Sequence, residues 1–194
     1  MTLPPVRIAT HADESTVVEA IVSAFASDPM ARWCWPDDMD YQSNMPEFTR
    51  AFGGRAFECD GAHCTDNLAG AALWLAPDVH PDEEAMVAIV ESSVAPSTRS
   101  ELYAVLEQMG AHHPTEPHWY LPLIGVTSVS QGKGFGGALL GFALERFDAQ
   151  SQVAYLESTN PRNISLYKRH GFEELGEIQV GSSPVVVPMS RQPR

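Results

Sequence analysis

Apolar residues follow two patterns along this chain, helical three-and-four spacing and short continuous runs. Helical spacing is clearest over residues 17–25, after Thr10 as a possible cap, and predicts a helix that ends at Asp28-Pro29. The same spacing predicts helices over residues 41–57, 81–93, 97–112, 134–150 and 163–170. Short apolar runs predict strands over residues 6–9, 62–65, 68–75, 119–126, 153–157, 172–179 and 185–189. Residues 31–46, which contain tryptophan and proline, are predicted to form an irregular loop.

The order of these elements predicts one α/β domain of the α+β type over residues 1–194. The front half contains strands joined by a tight turn at Asp66-Asn67, so it is expected to be antiparallel. A strand–helix–strand unit follows over residues 119–157. Pro122 lies inside the first strand of that unit, and proline removes a donor from a sheet ladder. We therefore expect Pro122 to mark a sheet edge or a place where pairing is interrupted.

The formal net charge of −13 is unevenly spread along the chain. Residues 131–170 carry a net charge of +2, and the remainder carries −15. A nucleic-acid partner is not expected, because phosphate contacts need clustered Lys and Arg. The basic segment favours an anionic ligand, and the acidic remainder favours a cationic or neutral second substrate. Acidic composition that only maintains solubility is the alternative, but it does not explain the basic segment.

Several classes of protein are not expected from this sequence. No apolar run reaches 18 residues, and the N-terminal sequence lacks a basic region followed by an apolar one. We therefore expect a cytoplasmic protein that has no membrane partner. The cysteines are too few for a disulfide framework, and Cys59, His63 and Cys64 lack a second ligand pair, so no metal is expected. Solvated surface positions are expected for three histidines, His112, His113 and His118.

Four glycines fall within residues 132–137 of the stretch SQGKGFGGALLGF (Ser130–Phe142). They lie between a predicted strand and a predicted helix. The first N–H groups of a helix have no internal partner, and the helix dipole places partial positive charge there. Without side chains, a phosphate can approach those groups closely. A P-loop is excluded, because Gly134 follows Gly132-Lys133 and Thr127 occupies the position of its first glycine.

A dinucleotide-binding site is a second interpretation of these glycines. Gly132, Gly134 and Gly137 satisfy G-x-G-x-x-G, and Glu157 lies about 20 residues on, where a ribose-binding acid belongs. Such a domain needs several further strand–helix units, whereas only 37 residues follow Glu157. The order of elements therefore opposes this interpretation.

A third interpretation rests on a resemblance carried by two motifs. The segment QGKGFG (Gln131–Gly136) matches the Q/R-x-x-G-x-G/A acyl-CoA signature of the GNAT superfamily of N-acyltransferases. The segment NPRNISLYKRHGF (Asn160–Phe172) resembles the second motif of that superfamily. The resemblance covers residues 118–179, about a third of the chain. Within the superfamily, the chain most resembles the branch that contains puromycin N-acetyltransferase, although it departs from relatives that carry Asp-Pro near residues 127–130.

The resemblance implies a single GNAT-like domain with a mixed, mostly antiparallel central sheet that contains a splayed parallel strand pair and is flanked by helices. It implies an N-acetyltransferase that moves an acetyl group from acetyl-CoA, as co-substrate, directly to a primary amine of a small molecule. The pantetheine arm would lie between the strands at residues 121–126 and 153–157. A backbone N–H near Ile124 or Gly125 would polarise the thioester carbonyl.

The resemblance also implies roles for individual residues. Tyr167 is expected to be the general acid, and Glu157 either the general base or a structural carboxylate. Asn160 either bonds the pantetheine or is a plain turn residue, and Lys168 is a further candidate for phosphate contact. The residues expected to bind acetyl-CoA are Val126, Ser128, Gln131, Gly132, Lys133, Gly134, Phe135, Gly136, Gly137, Asn160, Arg162 and Asn163. Two alternatives stay open, a non-catalytic acyl-CoA-binding or sensing module and a dinucleotide-binding oxidoreductase. The protein is expected to be a monomer or a homodimer.

Overall fold

A mixed sheet of seven strands forms the centre of the protein in a computed structural model that describes residues 4–194. The strands are β1 (Val6–Ile8), β2 (Ala62–Thr65), β3 (Gly70–Leu75), β4 (His118–Val126), β5 (Val153–Ser158), β6 (Glu173–Glu174) and β7 (Val187–Arg191). Their order across the sheet is β1-β2-β3-β4-β5-β7-β6. Neighbouring strands are antiparallel except β4 and β5, which are parallel. The prediction of a mostly antiparallel sheet with one parallel pair is confirmed.

Seven α-helices flank this sheet within residues 4–194. They are α1 (Glu14–Phe25), α2 (Pro29–Cys34), α3 (Asp38–Gly53), α4 (Glu83–Ser93), α5 (Pro96–His112), α6 (Phe135–Ala149) and α7 (Pro161–Arg169). The expectation of an irregular loop over residues 31–46 is wrong, because two carboxylates begin helices there. Asp28 caps α2 and Asp37 caps α3, and each accepts hydrogen bonds from two backbone amides of its helix.

The parallel strands β4 and β5 are paired over only part of their length. Pairing runs from His118 and Val153 to Leu121 and Leu156, after which both strands continue without pairing to each other. The register of β4 against β3 shifts at the same place, where two residues, Leu121 and Pro122, stand opposite Trp74. The expectation that Pro122 marks interrupted pairing is confirmed, and the sheet opens from this point.

Helices bury both faces of the sheet. Alternate residues of β3 enter two different apolar clusters, so the clusters lie on opposite faces. One cluster includes Ile21 of α1 and Met45 of α3, and the other includes Leu139 and Phe147 of α6. All six residues of β3 are buried, as expected for a strand that is covered on both sides. The helices of residues 4–194 all fall short of the length and apolar character needed to traverse a lipid bilayer.

The C-terminal strands differ in length from the prediction. The strand expected over residues 172–179 is reduced to the two exposed residues of β6, followed by a single bridge between Ile178 and Val186. Neither residue of β6 buries its side chain, so no apolar face extends that strand. By contrast, β7 pairs with β5 over its whole length.

Arg191 fastens β7 to α6. Its guanidinium donates two hydrogen bonds of 2.7 Å to the Asp148 carboxylate and one of 2.8 Å to the His170 carbonyl. The Arg191 side chain is 5% exposed. The bidentate contact with Arg191 lowers the pKa of Asp148 below its usual range. Loss of the carboxylate would therefore leave a buried positive charge without its partner.

We expect Asp148→Asn to lower the free energy of unfolding by about 2–3 kcal/mol at neutral pH, because a buried charged donor loses its acceptor. The pKa of Asp148 is lower in the folded chain than in the unfolded chain. Its stabilisation is therefore fully present above the unfolded value and is lost as the pH falls through the folded value. Urea unfolding should show that the difference in free energy of unfolding between wild type and variant decreases as the pH is lowered.

The control for this prediction is Asp66→Asn, which removes an exposed carboxylate 3.7 Å from Arg7. That substitution should cost less than about 0.5 kcal/mol. If the loss of unfolding free energy in Asp148→Asn stays constant as the pH is lowered, the role given to the ion pair is contradicted.

Candidate functional site

A cleft of about 1230 Å³ opens where β4 and β5 separate. It is lined by the glycine-rich turn after β4, the first turn of α6, the end of β5 and parts of α7. The cleft continues past the sheet to residues of α2, α3 and α5. Ligand crevices form at the carboxyl ends of parallel strands, and both β4 and β5 end here.

The turn between β4 and α6 suits an anion. Gly132 and Gly134 have positive φ angles of 71° and 90°, which glycine adopts without strain. Gly134 caps α6, and the Ala138 amide donates the first helical hydrogen bond to the Gly134 carbonyl. The amides of residues 135–137 therefore have no partner within the helix. Together with the partial positive charge of the helix start, these amides fit a phosphate group.

Most of the residues predicted to bind acetyl-CoA line this cleft. They are Val126, Gln131, Gly132, Gly134, Phe135, Gly136, Gly137, Asn160, Arg162 and Asn163. Two others lie outside its lining. Ser128 faces a smaller cavity beside α1, and the Lys133 ammonium donates to the Val129 carbonyl at 2.6 Å. Contact of all twelve residues with the carrier stays a prediction.

Asn160 has a structural task in addition to its place at the cleft. Its side-chain oxygen accepts a 3.1 Å hydrogen bond from the Arg162 amide and so caps α7. Pro161 follows as the first helical residue, where a missing N–H costs nothing. Tyr167 and Leu166 of this helix both line the cleft.

Some basic residues of the segment 131–170 already form ion pairs or hydrogen bonds within the protein. Lys168 pairs with Glu174 at 2.8 Å. Arg146 donates to the Asp60 carbonyl at 3.0 Å and lies over the ring of Trp119. Arg162, in contrast, is exposed at the cleft and forms no ion pair within the part of the chain that the structure describes. Arg162 is therefore better placed than Lys168 for an anionic ligand.

Main-chain groups of β4 face the opening that β5 leaves. The Thr127 amide donates to the Ala69 carbonyl, on the β3 side, at 2.9 Å. Amides of an extended strand alternate in direction, so those of Val126 and Ile124 point the opposite way, toward the cleft. Of the two amides expected near the thioester carbonyl, Ile124 faces the cleft and Gly125 faces β3.

Tyr167 lies on the cleft-facing side of α7 and is 5% exposed. Its ring packs edge-on against Phe172, with centroids 6.1 Å apart. Burial, followed by the nearby charge of Asp28, raises the pKa of Tyr167 above its usual range. The hydroxyl therefore keeps its proton at neutral pH and has one to donate.

Asp28 is a cleft residue whose place the sequence did not reveal. It is 6% exposed and accepts hydrogen bonds from two α2 amides at 3.0 and 3.1 Å. The Thr159 hydroxyl donates to its second oxygen at 2.7 Å and so links α2 to the segment after β5. Burial raises the pKa of Asp28, and these hydrogen bonds oppose that rise. Asp28-Pro29 is a helix-start signal, but nothing in the sequence places its carboxylate near Tyr167.

Glu157 borders the same cleft near the end of β5, and its side chain is 2% exposed. Its Oε1 lies 3.1 Å from His113 Nε2, although the pair is too poorly aligned to form a hydrogen bond. Tyr120 and Tyr155 also face this carboxylate. Burial, followed by the charge of Glu157, raises the pKa of both hydroxyls.

The expectation that His113 and His118 are solvated surface residues is wrong. Both are half-buried, and His113 Nδ1 lies 3.2 Å from His118 Nε2. Their ring centroids lie 4.4 and 5.7 Å from that of Tyr155. His113 directly follows α5 and His118 begins β4, and the pairing of β4 with β5 brings them near Glu157. The sequence predicted that these strands pair, but not that their pairing brings the two histidines to Glu157.

Metal-ligating side chains are not grouped in the described part of the chain. Within residues 4–194, no three His, Cys, Asp or Glu residues are arranged to hold a metal ion. The thiol of Cys59 is directed at backbone carbonyls, including that of Trp74 at 3.7 Å. His63 is buried against the ring of Phe142, and burial lowers its pKa to about 4, so the ring is neutral at physiological pH.

We expect Gly134→Ala to weaken the binding of coenzyme A about tenfold. A side chain at this φ of 90° is strained by about 1–2 kcal/mol, and relief of that strain displaces the helix start. Gly141→Ala is the matched control, because Gly141 lies in the same helix and an added Cβ meets nothing within 4 Å. It should leave the affinity unchanged and stabilise the protein by about 0.5–1 kcal/mol. Calorimetric titration and thermal unfolding measure both effects, and equal affinities of all three proteins would contradict the role of the turn.

Known proteins resemble this chain in sequence and structure. Residues 28–172, about three quarters of the chain, match the model of the Acetyltransferase (GNAT) family. The structure of a histone acetyltransferase HPA2 and related acetyltransferase from Corynebacterium glutamicum has a TM-score of 0.70 and 28% identity, covering 100% of this chain and 98% of that one.

Two insect structures share the fold at 12% identity. The polyamine N-acetyltransferase of Drosophila melanogaster, which forms N-acetylagmatine, has a TM-score of 0.67 and covers 96% and 98% of the two chains. Arylalkylamine N-acetyltransferase 2 of Aedes aegypti has a TM-score of 0.65 and covers 97% and 98%. From the match of the family model, the chain belongs to the GNAT acetyltransferase family, whose members use acetyl-CoA as co-substrate.

Proposed function

We propose that this acetyltransferase moves an acetyl group from acetyl-CoA directly to the primary amine of a small molecule. The observation that carries the proposal is that one cleft is bordered by the glycine turn, the gap beside β4, Tyr167 and Glu157. A carrier held at the turn and along β4 would bring its thioester between an acid and a carboxylate. Direct transfer needs no nucleophilic side chain. Burial raises the pKa of the cleft residue Cys34 to about 12, which makes it unsuited to be one.

The residues of the turn and of β4 fit the chemical groups of the carrier. The amides of residues 135–137 would hold the diphosphate, and Arg162 would add positive charge. The main chain of Val126 would pair with an amide of the pantetheine arm. The Ile124 amide would donate to the thioester carbonyl oxygen, which gains negative charge when the amine attacks.

Two side chains would act as general base and general acid in the transfer. Glu157 would accept a proton from the attacking amine, and Tyr167 would donate one to the departing thiolate. Because the pKa of Tyr167 is raised, its proton would move together with cleavage of the C–S bond, as negative charge develops on sulfur.

Aromatic rings favour an acceptor whose amine is carried on an apolar or aromatic body. Trp35, Phe48 and Phe52 line the cleft, with successive ring centroids 5.6 and 5.5 Å apart. The ring centroid of Phe52 lies 6.1 Å from that of Tyr120, which faces Glu157. The row of aromatic rings therefore ends at the proposed base. Rings in a concave site bind apolar parts of a ligand and leave polar recognition to a few groups. That solved proteins of this fold include polyamine and arylalkylamine N-acetyltransferases also supports an amine acceptor.

Two alternatives have less support. A non-catalytic acyl-CoA-binding module would use the same turn but would need neither Tyr167 nor Glu157 at the cleft. A dinucleotide-binding oxidoreductase needs further strand–helix units, whereas β5 is followed by α7, β6 and β7. Membership in the branch that contains puromycin N-acetyltransferase stays a prediction. The cytoplasmic location and the monomeric or homodimeric state also stay predictions.

We expect the pure protein to release free thiol from acetyl-CoA in the presence of suitable amines. The panel would contain phenethylamine, agmatine, puromycin and a peptide with a free N-terminus, and thiol would be measured colorimetrically. Tyr167→Phe should lower kcat about 10- to 1000-fold, because the general acid is lost. It should leave the affinity for coenzyme A unchanged, because the ring still packs on Phe172. Binding of coenzyme A without thiol release for any amine would favour the non-catalytic module.

Substitutions of the two buried carboxylates should distinguish their roles. Glu157→Gln should lower kcat/KM about 100-fold or more, because the proposed base is lost. Asp28→Asn should lower it less than about tenfold, because the amide oxygen can still cap α2. The thiol assay measures both losses, and a reversed order would make Asp28 the base.

The stability of Asp28→Asn provides a control for the comparison of Glu157 with Asp28. Since the pKa of Asp28 is raised in the folded chain, its ionised form is disfavoured there at neutral pH. Asp28→Asn should therefore maintain or raise the melting temperature at neutral pH. Any such gain should shrink as the pH falls below the folded pKa of Asp28 and vanish near the unfolded value, where the carboxyl is neutral in both states.

A further inference from the structure

A line of close contacts joins Glu157 to two histidines. Glu157 Oε1 lies 3.1 Å from His113 Nε2, and His113 Nδ1 lies 3.2 Å from His118 Nε2. His118 Nδ1 lies 2.8 Å from the carbonyl oxygen of Glu116. The side chain of Glu157 is 2% exposed and that of His113 is 30% exposed, so the line leads from the buried carboxylate toward solvent.

The carbonyl of Glu116 determines which ring nitrogens carry hydrogen. A carbonyl oxygen only accepts, so His118 Nδ1 must be a donor. Burial lowers the pKa of His118, which keeps this ring neutral and leaves Nε2 as an acceptor. His113 Nδ1 must therefore donate to His118. In a neutral His113 ring, Nε2 is then an acceptor, and it faces the Glu157 oxygen.

Two acceptors 3.1 Å apart repel each other unless one of them carries a proton. We infer that Glu157 and His113 share one proton, which resides on one group or the other without a direct hydrogen bond, and that the two together form the proton acceptor of the reaction. His118 is a positioning residue that fixes the tautomer of His113. The catalytic part of this inference rests on the proposed function. The shared proton is a property of the protein alone.

The surroundings of Glu157 leave room for a ligand to complete the hydrogen bonding. Glu157 Oε1 and the Tyr155 hydroxyl are buried and have no aligned partner among residues 4–194. Buried polar atoms are rarely left unpaired, so an N–H group of the bound amine is the expected partner. Tyr155 of β5 and Tyr120 of β4 both keep their protons, because burial and Glu157 raise the pKa of each. The remaining titratable groups near Glu157 and His113 are His118 and the exposed Glu116.

The proton balance of the transfer follows from this arrangement. The amine nitrogen forms its bond to the thioester carbon and gives a proton to Glu157, while the shared proton resides on His113 Nε2. The resulting imidazolium is partly exposed and releases one proton to water, after which Glu157 and His113 again share a single proton. The C–S bond breaks, and the thiolate takes a proton from Tyr167, which regains one from water. Amine and acetyl-CoA therefore give amide and free thiol with no net change in protons.

Nitrogen-15 NMR of the histidine side chains tests the shared proton without any turnover. In the wild-type protein, His113 and His118 should both show the Nδ1–H tautomer. The His113 Nε2 signal should lie between its protonated and unprotonated positions. In Glu157→Gln, that signal should move to the unprotonated position. An Nε2–H tautomer of His118 would overturn the inference whatever the activity of the enzyme. A His113 Nε2 signal that is the same in wild type and Glu157→Gln would also overturn it.

Two substitutions of His118 test its positioning role. His118→Gln retains an acceptor near the Nε2 position, whereas His118→Asn retains only a group near the Nδ1 position, beside the Glu116 carbonyl. We expect His118→Gln to keep kcat/KM within about threefold of wild type. His118→Asn should lower kcat about tenfold, leave the KM for acetyl-CoA unchanged and alter the acid limb of the profile of kcat/KM against pH.

Substitutions in α5 and the turn that follows it complete this test. His113→Gln should lower kcat about tenfold or more and alter the same limb, because the shared proton is lost. His112→Gln is the control, since the His112 ring bonds the Gln108 carbonyl at 2.8 Å and lies outside the cleft lining. Identical pH profiles for wild type, His118→Asn and His113→Gln would overturn the inference. If the wild type acetylates no amine, the proposed function fails, and the NMR result still decides whether the proton is shared.

Discussion

The site depends on the loss of hydrogen bonding between two parallel strands. β4 and β5 pair as far as Leu121 and Leu156 and then separate at Pro122, which has no N–H and lies in a bulge. The outer neighbours stay in place, because β4 pairs with β3 up to Val126 and β5 pairs with β7 up to Ser158. The sheet therefore opens in its interior while the strands of each half remain paired. That opening gives the glycine turn, Tyr167 and Glu157 a common cleft.

Burial determines the protonation of the groups around this opening. It raises the pKa of Tyr167 and Tyr155 and lowers that of His118. Both tyrosines therefore hold protons and the histidine is neutral before any substrate binds. Fixed donors and acceptors of this kind act more strongly in a water-poor cleft than in bulk water. The low exposure of the site is thus part of its chemistry as well as of its stability.

The sequence predicted the parts of the site that are continuous in the chain. The segment QGKGFG indicated the glycine turn before α6, and the segment around Tyr167 indicated α7, because each motif combines a local turn signal with a helix. The contact between Asp28 and Thr159 joins residues 131 positions apart, and no local pattern encodes it. His113 and His118 likewise gain their place from strand pairing. Helix α2 and the first turn of α3 escaped prediction because caps and packing, rather than a long apolar period, define them.

The opened main chain of β4 has a consequence for how this protein can vary. Recognition through N–H and C=O groups is independent of the side chains attached to them. Residues 124 and 126 can therefore change identity, and reshape the neighbouring pocket, while the polar surface presented by the strand stays constant. A scan that truncates side chains would miss this surface entirely. Only a change to the backbone itself, such as proline or an ester linkage at position 124, would erase it.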